Sequence, residues 1–129
     1  MRLLLDTSVL IDALRLRRHR RELLAELVQA GHTLATTALN VAEVYAGMRP
    51  EEALRTESLL AVLDCYELTG TSGRRAGALK QQWAKKGRTL ALADMIVAAI
   101  ALERGCTLMT DNRKDFPMQE LHKFDLPGS

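Results

Sequence analysis

A chain of 129 residues, 47% hydrophobic and 26% charged, is long enough for one packed domain, too short for two comfortable ones and too apolar to be disordered. Its 18 basic and 16 acidic residues leave a net charge of +2, which by itself points to no partner. Aromatic residues make up only 4%, so the core must come from Leu, Ala, Val and Ile, which favours helices packed on a sheet over a β-sandwich.

Residues 3–5 are three consecutive leucines, the pattern of a short strand buried on both faces. Asp6, Thr7 and Ser8 then offer three possible caps for a helix over residues 9–16. A basic run, residues 15–21 with five arginines, leads into a second helical pattern through Leu23, Leu24, Leu27 and Val28 that Gly31 ends. Residues 32–36 read as a strand. Residues 38–46 read as a helix capped by Thr36 or Thr37. Pro50-Glu51-Glu52 is a helix start, with proline in the first turn and acids at the positive dipole end, and that helix is expected to reach about residue 63.

A strand over residues 65–68, a turn cluster over 69–73 and a helix over 74–86 follow. The helix predicted over residues 92–104 is apolar on nearly all sides and is expected to lie deep, with Gly105 closing it. Residues 107–110 give a last core strand, and 124–126 an edge strand. Strands alternating with helices imply one α/β domain over 1–129, with a parallel sheet covered on both faces. Cys65, Cys106 and the three histidines fit neither a zinc spacing nor a disulfide framework. The leucine run is too short for a signal-peptide core, and the longest uncharged apolar run, residues 95–102, is far short of the roughly 20 residues a bilayer needs. The expectation is a cytoplasmic protein without membrane contact.

In parallel sheets, ligands bind at the carboxyl ends of the strands. Asp6 and Asp111 both stand immediately after predicted strands, although each also suits a plain capping role. Asp94 falls in the first turn of the apolar helix, where it offsets the dipole or serves a site. Glu43 shares a face with Asn40 on a helix expected to be largely buried; an ionised Glu there needs an arginine or a bound cation. Together these acids, without histidine or cysteine, suit a hard cation with oxygen ligands, Mg²⁺ or Mn²⁺, as in metal-assisted phosphodiester hydrolysis. They are expected to form one cluster.

Four short motifs occur in order: L-D-T-S-V-L-I-D from residue 5, N-V-A-E-V from 40, L-A-D-M-I-V-A-A from 92 and T-D-N-R-K-D-F from 110. In these the chain resembles PIN-domain ribonucleases, specifically VapC-type toxins of toxin–antitoxin systems, over nearly its whole length. The resemblance implies a three-layer α/β/α sandwich with a central, mainly parallel sheet of four to five strands. It also implies a Mg²⁺-dependent endoribonuclease acting on tRNA or another structured RNA. Asp6, Glu43 and Asp94 match the family's first three acids. Asp115 is preferred over Asp111 as the fourth, with Asp6, Asp94 and Asp115 as metal ligands. Thr7, Ser8, Asn40 and Asn112 would be polar supports. A VapB-like antitoxin and a homodimer are the partners it implies.

The arginine run at 15–21 is either a phosphate-contacting rim or a solvated face. Lys85, Lys86 and Arg88, close in sequence to Asp94, are the candidate RNA contacts. Two other readings compete: a PIN fold that only binds, and a phosphoacceptor signalling domain. Against the second, the chain has no adjacent acid pair after an early strand and no lysine directly after the last core strand.

Overall fold

The structure, a computed structural model, describes residues 1–127. Four parallel strands, β1 (Arg2–Leu5), β2 (Thr33–Thr37), β3 (Asp64–Tyr66) and β4 (Thr107–Met109), form one sheet in the order β3-β2-β1-β4. The strand expected near residue 124 is reduced to a single parallel bridge between Leu108 and Lys123. The strand predicted over 65–68 lies earlier, at Asp64–Tyr66.

Six helices cover the sheet: α1 (Thr7–Leu14), α2 (Arg20–Gln29), α3 (Ala38–Ala46), α4 (Ala53–Ala61), α5 (Gly70–Lys85) and α6 (Leu92–Arg104). The pleat of β1 divides them into two layers. Leu4 points into a core with Ala35, Leu108 and the apolar faces of α5 and α6. Leu3 and Leu5 point the other way, into a core with residues from α1, α2 and α3, against which Leu59 and Leu60 of α4 also pack. All three leucines are fully buried, each contributing about 1.5–3 kcal/mol of hydrophobic stabilisation. This is the expected three-layer sandwich. Met95, Ala98, Ala99 and Ala101 of α6 have no exposed surface, as the all-round apolar pattern requires.

Two helix starts differ from the sequence reading. Helix α5 begins at Gly70, because the Thr69 side chain accepts the Ser72 backbone N–H at 3.1 Å and so turns the expected loop into a first helical turn. The Pro50 segment opens as a 3-10 turn (Pro50–Glu52) before α4. At the other end of α6, Gly105 takes φ +63, the left-handed conformation that closes a helix. No helix among the described residues is long and apolar enough to cross a membrane.

The α1–α2 connection is unusual: Leu16, Arg18 and His19 all have φ near +55, outside the comfortable range for residues with a side chain. Ion pairs hold it. Arg18 reaches Asp111 at 3.1 Å and Asp12 at 3.8 Å, and the buried Arg20 reaches Asp111 at 2.8 Å. Arg15 pairs with the buried Glu52 at 3.1 Å. The basic run is therefore largely structural, with only Arg17 and Arg21 exposed and unpaired among its five arginines.

Candidate active site

The chain leaves β1 and returns to β2 through α1 and α2 on one face, then leaves β3 and reaches β4 through α5 and α6 on the other. The sheet order therefore reverses at β1, and a crevice opens beyond the carboxyl ends of β1 and β4. Asp6 stands at its floor. Its backbone N–H continues the β1–β4 ladder by donating to the Met109 carbonyl at 2.9 Å, and its side chain caps α1 by accepting the Thr7 N–H at 2.9 Å. The capping and functional readings of Asp6 are thus both compatible with one position.

The Asp6 carboxylate is buried, and two further groups hold it. Thr110 donates its hydroxyl to Oδ2 at 2.7 Å, and the Asn40 amide donates to Oδ1 at 3.3 Å. The Asn112 backbone N–H in turn donates to the Thr110 hydroxyl, which leaves that hydroxyl's proton for Asp6. Burial pushes the Asp6 pKa above its ordinary value; the hydrogen bonds from Thr110, Thr7 and Asn40 oppose that, and the charge of Glu43 adds to it.

Asp94, in the first turn of α6, lies within electrostatic reach of three other acids. Its pKa is pushed up to about 6, first by desolvation and then by the charges of Asp6, Asp115 and Glu43. No basic group relieves it. Asp115 closes a 3-10 turn (Arg113–Asp115) and faces the same crevice, whereas Asp111 is bound by Arg18 and Arg20. The sequence reading preferred Asp115 to Asp111, and of the two only Asp115 is among the charges acting on Asp94. Asp111 belongs to the ion-pair network that anchors the α1–α2 connection.

Glu43 differs from expectation. Helix α3 buries only Asn40 and Val44, and Glu43 is exposed, because α3 lies at the rim of the fold with one face to solvent. Glu43 nevertheless accepts the Thr7 hydroxyl at 2.7 Å, and Thr7 in turn accepts the Asn40 amide at 2.9 Å. A continuous set of hydrogen bonds therefore joins Glu43 to Asp6. Ser8 Oγ is buried without a hydrogen-bond partner, and the Asn112 side chain is exposed.

Among the described residues, no three carboxylates converge tightly enough to form a ready-made cage for an ion. The acids stand apart instead, acting on Asp94 through their charge. That arrangement fits Mg²⁺, which keeps several waters and takes only one or two carboxylates from a protein. The donor set fits as well: oxygen only, with negative charge that no arginine or lysine of the cleft offsets. Near the cleft, Lys85 is exposed, Lys86 lies 4.4 Å above the Trp83 ring, and Arg88 donates to the Lys114 carbonyl at 2.7 Å. Arg88 thereby ties the α5–α6 connection to the turn that carries Asp115, a contact with no signal in the sequence.

Comparison with known proteins fits this geometry. A family model described as the PIN domain matches residues 3–118. Ribonuclease VapC10 of Mycobacterium tuberculosis (strain ATCC 25618 / H37Rv) is 33% identical over 128 residues, covering 98% of this chain and 96% of that protein. Among solved structures, VapBC2 from Rickettsia felis bound to a promoter DNA fragment superposes with a TM-score of 0.84 at 21% identity, covering 97% of this chain and 100% of that one. A toxin–antitoxin complex from Klebsiella pneumoniae gives 0.76 at 26% identity, with 95% and 99% covered.

Proposed function

Because this chain belongs to the PIN-domain family, among its VapC ribonucleases, we propose that it is the toxin of a toxin–antitoxin pair and a Mg²⁺- or Mn²⁺-dependent endoribonuclease. The observation that supports metal dependence is the position of Asp94, whose pKa is raised by burial and by three neighbouring carboxylates with no base to balance them. A divalent ion, when bound, lowers the pKa of a coordinated water and offsets charge on a phosphate.

The chain's own residues supply the rest. Asp6 and Asp94 would hold the ion, with Asp115 as a further oxygen donor. Thr110, Thr7 and Asn40 fix Asp6 so that its oxygens do not reorient as charge builds up. Glu43, held by Thr7 through Oε1, orients the attacking water and accepts its proton. Hydrolysis by water leaves a 5′-phosphate and a 3′-hydroxyl. Lys85, Lys86 and Arg88 are the proposed backbone contacts to RNA, weakening as salt rises.

The antitoxin partner has a seat on the opposite side of the fold from α5 and α6. A groove of about 650 Å³ runs between α2 and α4, lined by Leu16, Leu24, Val28, Leu54, Leu59 and Val62. Arg21 and Arg55 stand at it as well, which suits an amphipathic helix with acidic flanks from a VapB-like protein. The proposal includes a homodimer, checked by sedimentation of the isolated chain.

The deciding experiment is cleavage of a structured RNA, tRNA first, by antitoxin-free protein with and without EDTA, followed by end-group analysis. Asp94→Asn is expected to lose at least about 100-fold in rate, the scale of a lost charge-stabilising group. Cyclic-phosphate ends, or cleavage that EDTA leaves untouched, would defeat the mechanism.

A further inference from the structure

Asn40 is completely buried, and all its polar atoms are engaged. The direction of each of these hydrogen bonds can be worked out. Thr37, the cap of α3, accepts the Asn40 backbone N–H at 3.2 Å, so its own hydroxyl proton is free to go to Asn40 Oδ1 at 2.6 Å. That places the amide oxygen towards Thr37 and the NH₂ towards Asp6 Oδ1 and Thr7 Oγ1. The reverse orientation would set Oδ1 against an acceptor-only carboxylate. Thr7, having accepted a hydrogen bond from the amide, has its hydroxyl proton left for Glu43 Oε1.

We propose that Asn40 is a positioning residue: it sets a one-way chain of hydrogen bonds, Thr37 to Asn40 to Thr7 to Glu43, that locks Thr7 as a donor to Glu43 Oε1. Glu43 Oε2, to which none of the described residues donates, is then the oxygen left for the attacking water. Glu43 sits on an exposed helix face and would otherwise turn freely; the chain gives it one orientation from a buried anchor. A rigid nucleophile-orienting group matters because small misplacements cost large factors in rate. The inference rests on the role assigned above to Glu43, and it concerns a residue that never touches RNA.

Two measurements test it. In the metal-free full-length chain, hydrogen exchange of the side-chain amides is followed by nuclear magnetic resonance, with the exposed Asn112 as internal reference. The Asn40 NH₂ is expected to exchange at least about 10-fold more slowly than that of Asn112, and Thr37→Val is expected to accelerate it. Exchange of Asn40 at the Asn112 rate would overturn the chain. Separately, Asn40→Ala and Thr7→Val are each expected to lower kcat by about 10-fold or more with KM for RNA within about twofold. The double variant is expected to be no slower than Asn40→Ala alone, because that change already releases the Thr7 hydroxyl along with the bond to Asp6. Thr7→Ser is expected to recover most of what Thr7→Val loses. Additive losses, or losses confined to KM, would refute the assignment. If the unmodified chain cut no RNA at all, the nuclease reading would fall, while the amide exchange would still decide whether the chain of hydrogen bonds exists.

Discussion

Replacing Asp94 by Asn removes one charge from a cleft that holds too many of the same sign. The carboxyl is displaced from 3.8 to about 6, which at about 1.4 kcal/mol per tenfold sets an upper bound of about 3 kcal/mol on the cost of keeping it ionised. Asp94 is only partly buried, and solvent screening brings that to about 1–1.5 kcal/mol. Against this, an acid in the first turn of α6 gains about 0.5 kcal/mol from the helix dipole, which Asn largely forfeits. The repulsion wins, and Asp94→Asn is expected to stabilise the metal-free protein by about 0.5–1 kcal/mol at pH 7.5, or roughly 2–4 °C in Tm.

The pH dependence has a definite sign. Above about pH 6 the native carboxyl is ionised and carries the full penalty. Between there and 3.8 the native state binds a proton that the unfolded state lacks, so the penalty shrinks as pH falls, and below 3.8 it is gone. Thermal melts followed by circular dichroism, in EDTA, at pH 7.5, 5 and 3.5 are expected to show the advantage of the variant fading with acid. Millimolar Mg²⁺ inverts the order, because only the unmodified chain gains from binding an ion in its native state. A variant equally destabilised at every pH would refute the reasoning and leave Asp94 as a helix-capping acid.

Other consequences are as direct. Arg20→Met strips a buried cation from Asp111 but leaves Arg18 in place, so a loss of about 2–3 kcal/mol is expected in urea unfolding, below the full cost of an abandoned buried pair. Glu52 is held down to about 2, mainly by the hydrogen bond from Arg15 and then by the Arg49 backbone N–H. Its stabilising effect is present above about pH 4.5 and lost as pH falls towards 2, so the Tm gap between the unmodified chain and Glu52→Gln should close over that range. Val62→Asp, at a position that is 69% exposed in the groove, is expected to abolish antitoxin binding in a pull-down with no effect on RNA cleavage.

How far the sequence could be read depended on whether the governing contacts were local. The limits of α3 and α6 follow from Thr37 and Gly105, each acting within a few residues, and both helices lie where the periodicity places them. The early start of α5 was hidden because Gly70 and Gly73 read as a turn, whereas the Thr69 cap overrides them. The choice between Asp111 and Asp115 could not be made from spacing, since what removes Asp111 from the cleft is a pair of arginines some ninety residues earlier in the chain. Glu43 was expected to be buried because its neighbours are small and apolar; alanines on a rim helix leave it open to water. The groove between α2 and α4 was only half legible: the apolar stretch over residues 54–63 reads equally as an interface or as core, and only the tertiary structure leaves Leu54 and Val62 uncovered.

The order of strands in the sheet also governs when Asp6 gains its surroundings during folding. Strand β1 occupies an interior position, and its neighbour β4 is the last of the four strands in chain order. Asp6 is fixed by the Met109 carbonyl and the Thr110 hydroxyl, and the cleft gains Asp115 only a few residues later. Until residues 107–115 are free to pair, β1 has an open edge and its carboxylate has no counterpart across the crevice. Long-range closure of this kind comes late in folding. The surroundings of Asp6 therefore assemble only when β4 pairs with β1, in one long-range step.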